Sequence, residues 1–137
     1  MSIYNETGLQ LAPPQLVVRC IPRSKTKEPK MSSDAIYNIV KLVPKPGKYD
    51  EVVEAFEALA KHIQAHEHKT QIYFAIRPEG TDELIIVEKY TDAANLKEHA
   101  STQEFKNFSR RLAPCLAQPP EMKRSKFLTG FDGRSKI

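Results

Sequence analysis

The sequence predicts an α+β fold of the ferredoxin-like type, with one antiparallel sheet. Two observations carry this prediction. Segments with strand and helix patterns alternate in the order βαββαβ, with one extra short helix before the last helix. The second and third strand segments are separated by only a short turn-rich segment, which is typical of an antiparallel hairpin. A chain of 137 residues is long enough for one such domain.

The first strand is predicted over 35–43, because apolar residues dominate both of its faces. Pro44 and the pair Pro46-Gly47 end this strand and turn the chain. A helix over 49–64 follows, since its apolar residues recur every three or four positions. The apolar stripe consists of Tyr49, Val52, Val53, Phe56, Leu59, Ala60 and Ile63.

Residues 69–77 and 84–90 are predicted to pair as a hairpin across the loop 78–83. In the third strand, Ile85 and Val87 share one face. Because side chains alternate along a strand, the other face carries Leu84, Ile86, Glu88 and Tyr90. An apolar run therefore also presents a carboxyl group and a phenol.

Two helices are predicted after the third strand. Asp92 caps a short helix that ends near His99. Ser101 and Glu104 have the spacing of a capping box for a second helix from Thr102. The second helix is expected to bury Phe105, Phe108, Leu112 and Leu116. Pro114 should end or kink it, because proline removes a backbone donor.

The remaining segments complete the domain organisation. A final strand is predicted over 121–131, followed by a tail over 132–137. The folded domain is therefore placed at 35–131. Residues 1–34 form an N-terminal extension rich in proline and lysine, with a possible edge strand at 15–21.

Composition and charge exclude several classes of protein. No apolar run reaches the length of a membrane span, and the N-terminus lacks a secretory signal, so a cytoplasmic protein is expected. Of the net charge of +4, residues 1–30 contribute five basic and two acidic side chains. Because the basic excess lies outside the predicted domain, we expect no nucleic-acid partner. Cys20 and Cys115 form no CxxC pair and are interpreted as free thiols.

The C-terminal residues Ser135-Lys136-Ile137 resemble the Ser-Lys-Leu peroxisomal address, with isoleucine in place of leucine. A three-residue match arises easily by chance. The peroxisome is therefore kept as the alternative to the cytoplasm.

Polar side chains converge where the third strand meets the short helix, and we interpret this junction as the wall of a small-molecule pocket. His99 follows Leu96 by three positions, so it faces inward as a candidate base or proton shuttle. Tyr73 and Tyr90 are candidate hydroxyl donors, and Asn38 is a candidate oxyanion donor. The alternatives are a core histidine bonded to a backbone carbonyl, packed strand tyrosines and a strand-edge amide.

The expected substrate-binding residues are Glu88, Phe105, Phe108, Leu96 and Phe56. For Glu88 the alternative is a structural ion pair with Lys or Arg. His62, His66 and His68 lie close together in the sequence, but a metal site needs further ligands and no cysteine is near. We therefore expect no metal site and assign the histidines to a solvated helix end.

The central strands are apolar on both faces, whereas the helices suffice to cover one face. An uncovered apolar sheet face would be a large exposed patch. The sequence therefore predicts a homodimer packed sheet to sheet.

Three segments and one tyrosine of the second strand resemble the antibiotic biosynthesis monooxygenase family. They are KPGKYDEVVEAF (45–56), VEKYTDAANLKEHASTQEFKNF (87–108), LAPCLAQPP (112–120) and Tyr73. The resemblance covers about 35–131 and implies a dimeric α+β barrel. It also implies a cofactor-independent oxidation by O2 of a phenolic, anthrone-type or other polyketide substrate to a quinone. Many members have Trp where this chain has Tyr90, so a phenol replaces an indole there.

Haem-degrading relatives share this topology and carry a Trp and a His on the helical layer. By alignment this chain has His99 and Ser109 at those two places, so a haem ligand is missing and haem degradation is not expected. Two other functions remain open on the same scaffold. One is a non-oxidative enzyme such as an isomerase, cyclase or decarboxylase, and the other is a non-catalytic dimeric binding protein.

Overall fold

The computed structural model describes residues 34–134, which form an α+β domain. In chain order its strands and helices are β1 (Ile36–Leu42), α1 (Tyr49–His66), β2 (Thr70–Ile76), β3 (Leu84–Tyr90), α2 (Ala93–Ser101), α3 (Gln103–Leu112) and β4 (Glu121–Ser125). The sheet has the order β2-β3-β1-β4, and every neighbouring pair is antiparallel. The prediction of a ferredoxin-like α+β fold is confirmed.

The hydrophobic core lies between the helices and one face of the sheet. On that face β1 and β3 contribute Leu42, Leu84 and Ile86. The helices contribute Val52, Phe56, Leu59, Ile63, Phe108 and Leu112. Burying one such side chain stabilises a fold by roughly 1.5–3 kcal/mol. This packing holds α1 and α3 against the sheet and determines where the candidate site lies.

The last strand is shorter than predicted: it ends at Ser125 instead of continuing to 131. Among residues 34–134, β4 pairs with β1 alone, and Ser125 lies opposite Tyr37. β1 begins at Ile36, so beyond Ser125 the chain has almost no β1 left to pair with. The following tail is held instead by Asp132, whose carboxylate accepts a hydrogen bond from the Tyr37 hydroxyl (2.6 Å) and pairs with Lys89.

The start of α2 was predicted correctly and the start of α3 was not. Asp92 caps α2, since its Oδ1 accepts from the Asn95 amide at 2.8 Å. The capping box of Ser101 and Glu104 is wrong. Ser101 is still helical and its hydroxyl donates to the Lys97 carbonyl, whereas Thr102 has an extended backbone and caps α3. Only a residue that has left the preceding helix can direct its side chain to the amides of the next one.

Several predictions fall outside the described residues: the extension before Asp34, its edge strand at 15–21 and the tripeptide 135–137.

α3 ends at Leu112 and a single 3₁₀ turn, Ala113–Cys115, follows, as Pro114 predicts. No helix within residues 34–134 is both long and apolar enough to span a membrane.

Candidate functional site

A cavity of about 720 Å³ lies between the sheet and the helices α2 and α3. Its walls are mainly apolar, formed by Val40, Ile86, Leu96, Phe105, Phe108 and Leu112 among others. Ligand sites in proteins have volumes of about 300–1,000 Å³ and combine apolar walls with a few polar groups. The size and lining of this cavity are therefore those of a small-molecule site.

The polar groups of the sheet wall form one row across all four strands. Tyr73 on β2 lies opposite Glu88 on β3, Glu88 lies opposite Asn38 on β1, and Asn38 lies opposite Arg124 on β4. All four residues line the cavity. The row arises from strand register, because residues directly opposite each other project from the same face.

Glu88 is the centre of this row and is buried. Its Oε2 accepts hydrogen bonds from Asn38 Nδ2 (3.2 Å) and from the Tyr90 hydroxyl (2.9 Å). Burial raises the pKa of Glu88 above its ordinary value, although the two hydrogen bonds and His99 oppose the shift. The alternative of an ion pair with Lys or Arg is wrong, since the bonded partners within the described residues are an amide and a phenol.

The two tyrosines differ in their access to the cavity. Tyr73 lines it, whereas Tyr90 is fully buried beneath it and donates to Glu88. Burial, followed by the neighbouring Glu88 carboxyl, raises the pKa of Tyr73 and of Tyr90 far above that of a free phenol. Both therefore remain protonated donors near neutral pH. Phe56 stacks on the Tyr73 ring (centroids 5.2 Å apart) and lies outside the cavity wall.

His99 is 2% exposed and lines the cavity from α2. Its ring lies among those of Tyr90 (centroids 5.3 Å apart), Tyr73 (5.8 Å) and Phe105 (5.0 Å). His99 Nδ1 lies 2.8 Å from Oε1 of Glu67. Its other ring nitrogen, Nε2, is buried without a hydrogen-bond partner among the described residues. The alternative of a core histidine bonded to a backbone carbonyl does not hold for the ring nitrogens in the described structure.

Of the nine residues predicted for the site, seven line the cavity: Asn38, Tyr73, Glu88, Leu96, His99, Phe105 and Phe108. Phe56 and Tyr90 are not part of the wall, and Tyr90 contacts the site through Glu88 and the His99 ring. These positions leave the assigned roles as predictions, because position in a wall does not establish a role in catalysis.

Sequence reasoning missed Glu67, and it also missed Lys97, Ser109 and Arg124 in the cavity wall. The alternation of β4 could have placed Arg124 beside Asn38 only if the register of β4 on β1 were known. Glu67 directly follows the end of α1 and has no local signal. The histidines of α1 do not line the cavity; His62 Nε2 instead lies 3.5 Å from Glu104 Oε2.

Comparison with known proteins agrees with this architecture. The family model for antibiotic biosynthesis monooxygenase matches residues 35–111. The chain belongs to this family. The resemblance drawn from the three sequence segments is thereby confirmed, and a monooxygenase-family role is supported. A search of curated proteins gives no match.

Several solved structures have the same fold as this chain. A candidate antibiotic biosynthesis monooxygenase of Caulobacter crescentus is 24% identical, with a TM-score of 0.66, over 69% of this chain and 91% of its own. A protein of Mycobacterium tuberculosis is 18% identical, with a TM-score of 0.66 over 70% and 97%. A conserved protein of Methanosarcina mazei is 24% identical, with a TM-score of 0.64 over 69% and 94%.

Proposed function

We propose that the protein is a cofactor-independent monooxygenase that oxidises a phenolic or anthrone-type polyketide to a quinone with O2. The observation that carries this proposal is the cavity, in which apolar walls enclose one histidine, one phenol and one buried carboxyl group. Family membership supports a monooxygenase. The substrate class is the one that the resemblance to this family implies, and a mainly apolar cavity of about 720 Å³ has room for a polycyclic arene.

The reaction begins with removal of a proton from the reactive carbon of the substrate by His99. The resulting carbanion is delocalised over the rings and gives one electron to dioxygen, forming a substrate radical and superoxide. Their combination makes a carbon–oxygen bond and yields a peroxide, which takes a proton from His99. Neutral His99 then removes the second proton from that carbon, which breaks the O–O bond and releases hydroxide, and the hydroxide takes that proton from His99. One oxygen atom remains as the new carbonyl and the other leaves as water.

The other polar groups stabilise the negative charge that develops on the substrate oxygen. The Tyr73 hydroxyl, held protonated by burial, is a donor at the cavity wall. Asn38 Nδ2 donates one hydrogen bond to Glu88 and has a second N–H that can donate to the substrate. Tyr90 donates to Glu88 and so orients that carboxyl. Apolar walls exclude water, which strengthens these interactions.

The homodimer belongs to the same proposal. On the sheet face opposite the core, Phe74 is 46% exposed and Ile76 is 54% exposed. Ile39, Ile72, Ile85 and Val87 alternate with core residues and are only half-buried. A second copy packed on this face would bury these side chains and leave each cavity on the outer, helical side.

The test is oxygen uptake and quinone formation with 1,8-dihydroxyanthrone, using chelator-treated protein and subtracting the uncatalysed rate. We expect turnover by the wild type and a loss of roughly 100- to 10,000-fold in kcat for His99→Gln, the usual contribution of a general base. His62→Gln is the matched control, since His62 is a histidine of α1 outside the cavity.

Each other outcome identifies a different function. Equal turnover by His99→Gln would remove His99 from the mechanism. Conversion of the probe under nitrogen would instead indicate an isomerase, cyclase or decarboxylase. Thermal stabilisation by the probe without any product would indicate a binding protein.

A further inference from the structure

The His99 ring separates two hollows of different character. On one side is the apolar cavity. On the other is a smaller hollow of about 350 Å³, lined by polar residues that include Glu67, Asn95 and Thr102. His99 lines both hollows, whereas Glu67 lines only the second. Nδ1 of the imidazole is turned toward Glu67, which lines the second hollow.

The contact between these residues is short and enclosed. Nδ1 and Oε1 are 2.8 Å apart, and the side chains are 2% and 12% exposed. Glu67 Oε2 is buried and has no partner among the described residues. Because His99 is the hydrogen-bond partner found for this carboxylate, the arrangement favours a proton on Nδ1 and a lone pair on Nε2.

The backbone holds Glu67 firmly in this position. Glu67 is the residue that ends α1, and its amide donates to the Ile63 carbonyl at 2.8 Å. Its own carbonyl accepts from the Thr70 amide at 3.0 Å, at the start of β2. The residue is thus fixed by the helix before it and the strand after it, so its side chain is preorganised for His99.

The other groups that face His99 do not fill the role of Glu67. From β3 and β2, the Tyr90 and Tyr73 rings and the Glu88 carboxyl lie near it. From α3, Phe105 contacts the ring edge. Oε2 of Glu88 already accepts hydrogen bonds from Asn38 and Tyr90. Burial raises the pKa of this carboxyl group. Glu67 is the carboxyl group that touches a ring nitrogen.

We propose that Glu67 is the positioning residue of the site: its carboxylate accepts a hydrogen bond from the Nδ1–H group of His99 and leaves Nε2 to accept a proton from the ligand. When His99 is protonated, the same carboxylate stabilises the imidazolium. A base oriented by a third group is a general arrangement in catalysis. The inference deepens the proposed function and, for its catalytic part, rests on it.

The first test does not depend on any substrate. Long-range ¹H–¹⁵N NMR spectra report which ring nitrogen of His99 carries the proton, and His99→Gln identifies its signals. We expect the Nδ1–H form in the wild type and a mixture of tautomers in Glu67→Gln, whose carboxamide both donates and accepts. Glu79→Gln is the control, because it makes the same change of charge on an exposed loop.

The second test follows kcat and KM for 1,8-dihydroxyanthrone. For Glu67→Gln we expect kcat to fall roughly 10- to 100-fold, the range known for groups that orient metal-bound histidines, with little change in KM. Glu67→Asp should recover part of kcat, because it restores a carboxylate. A purely structural role would lower thermal stability in both variants without changing the tautomer.

The two tests separate the two proposals. A wild-type spectrum with the proton on Nε2, or an unchanged tautomer in Glu67→Gln, overturns the positioning role even if the probe is oxidised. The expected tautomers with no oxidation of the probe support the positioning of His99 and overturn the proposed oxygenase. If Glu67→Gln does not fold, the wild-type tautomer alone decides.

Discussion

At the residue scale, Glu88 shows how burial changes the chemistry of a side chain. A carboxylate without a cationic partner is costly inside a protein, and burial therefore raises the pKa of Glu88 above its ordinary value. The donors Asn38 and Tyr90 reduce this cost without removing it. With its pKa raised, Glu88 holds its proton to a higher pH than an ion-paired glutamate would.

The raised pKa of Glu88 predicts the stability of Glu88→Gln. The pKa of Glu88 is higher in the folded protein than in the unfolded chain. Its contribution to the free energy of unfolding is therefore fully present below the unfolded-state pKa and is lost as pH rises through the folded-state pKa. Glutamine does not ionise and keeps an acceptor for Asn38 and Tyr90. We therefore expect the Tm difference between variant and wild type to shift in favour of the variant as pH rises.

Thermal unfolding between about pH 4, below the ordinary glutamate pKa, and about pH 8 would measure this difference. Glu79→Gln controls for the loss of one exposed carboxylate. A difference that is constant over this pH range would show that the Glu88 pKa is not raised by folding.

At the element scale, the corner between α2 and α3 depends on Thr102. Its hydroxyl donates to the His99 carbonyl (2.8 Å) and accepts from the Phe105 amide (3.2 Å). Its own amide also donates to the His99 carbonyl. One side chain therefore ends the helix that carries His99 and begins the helix that carries Phe105 and Phe108.

Thr102→Val keeps the shape of this side chain and removes its hydroxyl. We expect a loss of about 1 kcal/mol in the free energy of unfolding, the usual effect of losing a helix cap. Thr102→Ser should keep most of the stability. Ser101→Ala is the comparison, because that hydroxyl bonds only within α2. Denaturant midpoints measure the stability of all three variants. A larger loss of unfolding free energy for Ser101→Ala than for Thr102→Val would favour the capping box predicted from sequence.

At the scale of the whole molecule, the sheet has one face covered by helices and one face with half-exposed apolar side chains. Burial of apolar surface is the main favourable term in association, and charge within such a surface opposes it. In the proposed homodimer, association would therefore depend on the residues of the second face, away from the cavity.

Phe74→Glu places a charge on this face, and we expect it to convert a dimer into a monomer. Sedimentation velocity over a range of concentrations measures the change. Ala58→Glu, on an exposed position of α1, makes a similar substitution and should remain dimeric. A wild type that sediments as one copy at every concentration would contradict the proposed dimer.

Local physics explains what the sequence by itself determined. Strand alternation placed Glu88 and Tyr90 on the face of Ile86, and helical spacing turned His99 inward, because these periods depend only on neighbouring residues. The order of elements and the fold class followed from the same patterns. The end of β4 was misplaced because it depends on where its partner β1 begins.

Only the tertiary structure decided which polar groups meet. Glu67 and His99 are separated by 32 residues, and Asn38 and Glu88 by 50. Arg124 joins the row only through the register of β4 on β1. Such contacts depend on strand register and helix packing over the whole chain, and a shift of one residue would turn every side chain to the other face. The candidate site is therefore a product of the fold, although seven of the side chains that line the cavity could be recognised beforehand.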